Sequence, residues 1–158
     1  MTKIVILCGG RGTRLKPYTI SIPKPLVPFQ NKPILIDILQ KIKKNIKANQ
    51  FTISTGYLSS LIISYLESEK KSLKLNFNYL EEKKPLGTAG SLSLIRGNDD
   101  VLLVNGDTLT DLSYKRFIKT FEKDKPGILI ASHEKNYIID FGILKSDNKN
   151  NLIEYNEK

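Results

Sequence analysis

The run Lys3-Ile4-Val5-Ile6-Leu7 constrains this chain most, because glycines cut it off so abruptly. It is short, apolar and β-branched, which fits a strand buried inside a sheet. It empties at once into Cys8-Gly9-Gly10-Arg11-Gly12-Thr13-Arg14, where the glycines forbid a regular element. A buried strand ending in glycines puts backbone N–H groups at the carboxyl edge of a sheet, where open α/β folds bind ligands. Glycine lets backbone approach phosphate oxygens closely, and consecutive N–H groups form an anion nest. Arg14 adds a fork of donors suited to a phosphate. Two related patterns are excluded. A Walker A loop needs Lys-Ser or Lys-Thr after its last glycine, and none is present. The dinucleotide pattern G-x-G-x-x-G would start at Gly10-Arg11-Gly12 but meets Leu15 at its last position.

The rest of the chain alternates. Pro17, Pro23, Pro25 and Pro28 predict an extended course without helix. Pro33 suits the first turn of a helix carrying Ile34, Leu35, Ile38, Leu39, Ile42 and Ile46, with Lys41, Lys43, Lys44 and Lys47 forming a solvated face. Strands are expected over 51–55, 75–81 and 101–104. Helices are expected over 61–66 (capped by Ser59 or Ser60), 88–95 and 114–121. Three more strands are expected over 127–132, 141–145 and 152–155. Strands separated by helices indicate an α/β layer fold with a largely parallel sheet, and the strand-rich last third predicts a mixed one. No linker divides the 158 residues, so one domain over 1–158 is expected.

Composition narrows the class. Hydrophobic residues make up 40% of the chain, and a domain of this length buries roughly 70% of its unfolded surface, so no staples are needed. The single cysteine, Cys8, cannot form an internal disulfide and fits a reducing compartment. Cys8 is expected to be a small buried residue, not a nucleophile, and the lone His133 a structural one. With no leader and no membrane-length apolar run, a cytoplasmic protein is expected, with no membrane partner. The net charge is +9 (25 basic, 16 acidic residues). Four of the basic residues are arginine and the remainder lysine, in a chain also rich in Asn and Ile, so compositional drift explains the charge better than polyanion binding.

Three further segments carry chemistry. In Ser21-Ile22-Pro23-Lys24-Pro25-Leu26, prolines on both sides of Lys24 lower the entropy cost of presenting its ammonium to a phosphate. Asn105-Gly106-Asp107 ends an apolar strand with a carboxylate at the same sheet edge as the glycine loop, a hard oxygen ligand of the kind Mg²⁺ with nucleotide phosphates requires. Glu81-Glu82 precedes Pro85-Leu86-Gly87-Thr88-Ala89-Gly90, whose glycines could let a flat base pack on backbone.

Taken together, Leu7-Cys8-Gly9-Gly10-Arg11-Gly12-Thr13-Arg14-Leu15, Pro23-Lys24-Pro25-Leu26, Leu86-Gly87-Thr88-Ala89-Gly90 and Asn105-Gly106-Asp107 resemble the sugar-1-phosphate nucleotidyltransferases. The Leu-Gly-Thr-Ala-Gly form is most similar to mannose-1-phosphate guanylyltransferase-like and glucose-1-phosphate thymidylyltransferase-like members. Cys8 stands where alanine is usual. The resemblance implies a Rossmann-like nucleotidyltransferase sandwich. It implies that Leu7, Gly9, Gly10, Gly12 and Thr13 hold a nucleoside triphosphate, and that Arg14 and Lys24 neutralise its phosphates. Leu86 and Gly87 would lie against the base, and Asp107 would bind Mg²⁺. It further implies that Gly142, in Phe141-Gly142-Ile143, lines the sugar, with Glu157 on its hydroxyls and Lys158 on its phosphate. Family members normally continue beyond this point, with a second metal-binding aspartate and often the oligomer contacts. The chain is therefore expected to be truncated at its C-terminal end, inactive alone, and a homo-oligomer through the part beyond.

The expected reaction moves a nucleoside monophosphate from the triphosphate to a sugar 1-phosphate. A non-catalytic nucleotide-binding or regulatory module of the same fold is the alternative. Nucleic-acid binding rests on charge alone, and the glycine spacing is wrong for a nicotinamide enzyme.

Overall fold

The structure, a computed structural model, is described for residues 2–84, 86–135 and 142–157. In chain order its strands and helices are β1 (Lys3–Cys8), β2 (Pro28–Phe29), β3 (Lys32–Pro33), α1 (Ile34–Ile46), β4 (Gln50–Thr55), α2 (Ser59–Leu73), β5 (Asn76–Glu81), β6 (Val101–Asn105), α3 (Tyr114–Asp124), β7 (Ile143–Ser146) and β8 (Leu152–Asn156). They fall into two compact units, Met1–Lys125 and Pro126–Lys158.

In the first unit four parallel strands run in the order β5-β4-β1-β6. Register puts Ile6 beside Ile53 and Val104, and Ile53 beside Tyr79, on one face of this sheet. Ile4, Ile6, Phe51, Ile53 and Phe77 on that face join Leu35, Leu39 and Ile42 of α1, Ile62 and Leu66 of α2 and Tyr114 of α3 in one core cluster. Leu35, Leu39 and Ile42 are fully buried, each stabilising the fold by roughly 1.5–3 kcal/mol. Their helical spacing, read from sequence, is thus the contact face of α1.

The chain leaves β1 toward β4, and after β5 it crosses back to β6 on the other side of β1. The loops following β1 and β6 therefore part at the carboxyl edge, the crevice where doubly wound sheets bind ligands. The glycine loop follows one strand and Asp107 the other.

Several sequence expectations are corrected. The proline-spaced segment is not simply extended: single 3₁₀ turns form at Thr13–Leu15, Tyr18–Ile20 and Lys24–Leu26. Proline's fixed φ suits such a turn at its start, and Pro25 sits inside the third. α2 runs seven residues past Leu66 to Leu73, through a polar stretch of good helix formers with a Glu67–Lys70 pair at 3.4 Å. Its cap is Leu58, because Ser59 Oγ donates to Glu81 instead. Lys41 and Lys43 are not merely solvated: their ammonium groups donate to the carbonyls of Thr110 and, at 2.6 Å, Leu73. Residues 127–132 form no strand. The antiparallel pairs among the described residues are β2–β3 in the first unit and the β7–β8 hairpin in the second, each a two-stranded sheet apart from the four parallel strands. His133 is exposed, with Nδ1 at 2.9 Å from the Glu134 carbonyl. Among the described residues no helix is long and apolar enough to cross a membrane.

Candidate functional site

Leu7, Gly10, Gly12, Thr13, Arg14, Lys24 and Asp107, all expected from sequence, line one cleft of about 270 Å³ at the carboxyl edge of β1 and β6, with Cys8, Leu15 and Pro25 between them. Gly12 is the pivot of the loop. It takes a left-handed conformation (φ 60°, ψ 34°). A Cβ there would lie 2.9 Å from Thr19 Cγ2 and 3.1 Å from Lys24 Cβ. Its carbonyl accepts from the Leu15 amide and from Thr19 Oγ1, both at 2.9 Å. Among the described residues the amides of Gly10, Arg11, Gly12, Thr13 and Arg14 donate to no protein acceptor. Such a run of unpaired donors beside an exposed arginine is an arrangement that can receive an anion.

Across the cleft, Lys24 Nζ donates to Asp107 Oδ2 at 2.7 Å, and Thr108 Oγ1 donates to Oδ1 at 3.2 Å. Pro23 and Pro25, both buried, anchor the turn that presents the lysine. The two charged side chains remain 38% and 31% exposed. A pair this open contributes about 0–1 kcal/mol to folding, so it weighs more in what the cleft can bind than in stability. Gly106 brings the aspartate in close: its amide donates to the Leu7 carbonyl at 2.9 Å, and a Cβ there would stand 2.6 Å from Cys8 Sγ. Cys8 is 1% exposed, and burial, helped by the Asp107 charge, pushes its thiol well above the usual range. It packs against Gly106, where burial disfavours the thiolate.

Gly9, Leu86 and Gly87 stand to one side of this cleft. The Gly9 carbonyl accepts from the Tyr57 amide at 3.2 Å, and a Cβ on Gly9 would meet Glu82 Oε1 at 3.5 Å. Glu82 is oriented by the fully buried Ser54, whose hydroxyl donates to Oε1 at 2.6 Å, and its Oε2 accepts from the Leu86 amide at 3.4 Å. Gly87 is left-handed (φ 78°), with open space where a side chain would be. One carboxylate thus stands beside Gly9 and accepts from the Leu86 amide. Gly142 and Glu157 fall in the second unit, both exposed; a side chain on Gly142 would strike the Tyr155 ring at 2.8 Å. Lys158, Phe141 and Pro85 lie outside the described residues.

Residues 3–158 match the family model described as nucleotidyl transferase. The chain belongs to the nucleotidyl transferase family. Among curated nucleotidyl transferases, the mannose-1-phosphate guanylyltransferase catalytic subunit beta of Xenopus tropicalis is 37% identical over 139 residues, covering 82% of this chain and 38% of the relative. That of Dictyostelium discoideum is 32% identical over 158 residues, covering 88% and 44%. The chain thus spans less than half the length of these relatives. A crystal structure described as a glucose-1-phosphate thymidylyltransferase of Bacillus anthracis superposes with a TM-score of 0.72 at 27% identity, over 99% of this chain and 64% of that one. HddC of Yersinia pseudotuberculosis, complexed with GMP-PN, superposes with a TM-score of 0.65 at 26% identity, over 100% and 70%.

Sequence reasoning about this nucleotidyl transferase chain missed Thr19, Tyr57 and the part Ser54 plays in aiming Glu82. Ser54 had a weak signal, as one of three hydroxyls (Thr52, Ser54 and Thr55) in a short strand. Thr19 had none, since its local neighbours do not reveal that it packs against Gly12.

Proposed function

We propose that this chain supplies the nucleotide-binding part of an enzyme that makes nucleotide sugars, joining a nucleoside triphosphate to a sugar 1-phosphate with release of pyrophosphate. A sugar phosphate oxygen attacks the α-phosphorus, the bond to the bridging α–β oxygen breaks, and its electrons leave with pyrophosphate. Such a transfer asks for positioning and charge neutralisation above all. The observation that carries this reading is the run of unpaired amides from Gly10 to Arg14, in a loop whose Gly10, Gly12, Thr13 and Arg14 line one cleft with Lys24 and Asp107. The amides would hold phosphate oxygens, and Arg14 and Lys24 would neutralise the departing pyrophosphate.

Asp107 fits a divalent ion that arrives with the nucleotide. Its carboxylate already holds one cation, the Lys24 ammonium, at 2.7 Å. Among the described residues no three acidic, His or Cys groups gather to cage a metal. One carboxylate plus substrate phosphates is a common way to hold Mg²⁺, which when bound would neutralise charge developing on phosphate oxygens. Glu82, beside Gly9, favours guanine: a carboxylate only accepts, and the N1–H and N2–H₂ of guanine are adjoining donors. The guanylyltransferase relatives point the same way, which makes GTP and mannose 1-phosphate the first pair to try.

The test is a thermal-shift panel of the common triphosphates with Mg²⁺, followed by pyrophosphate release with sugar 1-phosphates. A triphosphate at 100 times its dissociation constant adds about 2.7 kcal/mol of stability, which raises Tm by about 5–10 °C. If no triphosphate shifts Tm, the reading fails. Arg14→Ala should lose about 1.5–3 kcal/mol of triphosphate affinity with no change in melting, because the side chain is exposed and its value lies in charge-assisted contacts. Isothermal titration checks this, and unchanged affinity would remove Arg14 from the site.

A further inference from the structure

We propose that Thr19 is the positioning residue of the anion loop. Its hydroxyl holds Gly12 in the left-handed turn that leaves the neighbouring amides free for phosphate. The proposal rests on the nucleotide-binding reading above.

Burial around Thr19 is inverted from the usual pattern. Thr19 is 1% exposed, while its apolar neighbours Tyr18 and Ile20 are 72% and 58% exposed. Apolar burial would have turned this segment the other way. Thr19 makes two contacts with Gly12: its hydroxyl donates to the carbonyl at 2.9 Å, and its methyl fills the space a side chain on Gly12 would need. The same carbonyl accepts from Leu15, so both of its lone pairs are engaged inside the protein.

A second strut joins the same parts. The Tyr57 amide donates to the Gly9 carbonyl and its hydroxyl to the Ile20 carbonyl, both at 3.2 Å. The loop is therefore tied at Gly9 and at Gly12, and the turn carrying Thr19 is tied to the same tyrosine. Residues between the ties are ordered before a ligand arrives, so binding does not bear the cost of ordering them. Thr19 touches no substrate in this scheme and acts through Gly12.

The experiment compares Thr19→Val, which keeps the shape and loses the hydroxyl, with Thr19→Ser, which does the reverse. Two quantities are read: backbone ¹⁵N order parameters of Gly10–Thr13 in the ligand-free chain, with the amides of β1 as internal reference, and GTP affinity with Mg²⁺. In Thr19→Val the loop order parameters should fall toward flexible values, below about 0.6, while those of β1 stay near 0.85. Affinity should drop about tenfold, the worth of one hydrogen bond. Thr19→Ser should keep wild-type loop order and bind within about twofold of wild type. A valine variant with an unchanged loop overturns the proposal. So does a serine variant as loose as the valine one, which would assign the effect to packing alone. If wild type binds no triphosphate, the functional reading falls, and the ligand-free order parameters still decide the role of Thr19.

Discussion

Asp107→Asn is expected to remove the divalent-ion dependence of nucleotide binding while the chain melts as before. Among the described residues the carboxylate pairs with Lys24, which lines the cleft, and with its neighbour Thr108, and the open Lys24 pair contributes about 0–1 kcal/mol to folding. Asparagine keeps the shape and one oxygen but lacks the charge that a hard cation demands. The lysine it leaves unpaired stays free to meet phosphate, so binding without metal should survive or improve. The metal-supported part of affinity and turnover, several kcal/mol, should fall by on the order of a hundredfold or more. Titration of GTP into the variant with and without Mg²⁺ reads this directly. Persistent enhancement by Mg²⁺ would show that another group holds the ion.

Gly106→Ala is expected to have the largest effect on stability. Its Cβ would stand 2.6 Å from the buried Cys8 sulfur and 2.8 Å from the Leu7 carbonyl, and neither can yield without moving the central strand. Overpacking of this kind costs about 3 kcal/mol, lowering Tm by about 6–12 °C in a chain of this size. Gly10→Ala is the control, since nothing lies within 4 Å of its would-be Cβ. Melting curves of the two variants should separate clearly. Equal melting would mean that β1 and the Gly106 turn adapt more freely than their packing shows.

Sequence was informative wherever local chemistry decides structure. β1 was legible because an apolar β-branched run ending in glycines has few other uses, and α1 because its buried positions repeat at helical spacing. The glycine loop, Lys24 and Asp107 were legible as a group because each follows or faces a strand end. The segment 127–132 shows the limit. Ile128 and Ile130 have strand propensity, yet they stand 79% and 78% exposed and pair with nothing among the described residues. Strand propensity measures fit to a neighbouring pleated surface, and a sequence window does not contain the neighbour. α2 failed differently: six polar residues, Glu67 to Ser72, separate its buried positions Leu66 and Leu73, so a local window shows no apolar face to extend it. Thr19 was illegible because its partner is a carbonyl seven residues away, brought close by a turn that the prolines alone do not specify.

Lys24 and Asp107 hold one another at 2.7 Å, and on the proposed function that contact would make two bindings interdependent. A divalent ion offered alone has to displace an ammonium from the carboxylate it seeks. A triphosphate offered alone has to draw that ammonium away and leave a carboxylate facing its own negative charge. Offered together, each takes the partner the other releases, and no charge is left bare. If both bind as proposed, the ion and the triphosphate would assist one another, and thermodynamic reciprocity makes such assistance equal in both directions. Either charge alone meets a competitor in the cleft, whereas the complex of both exchanges one satisfied pairing for two.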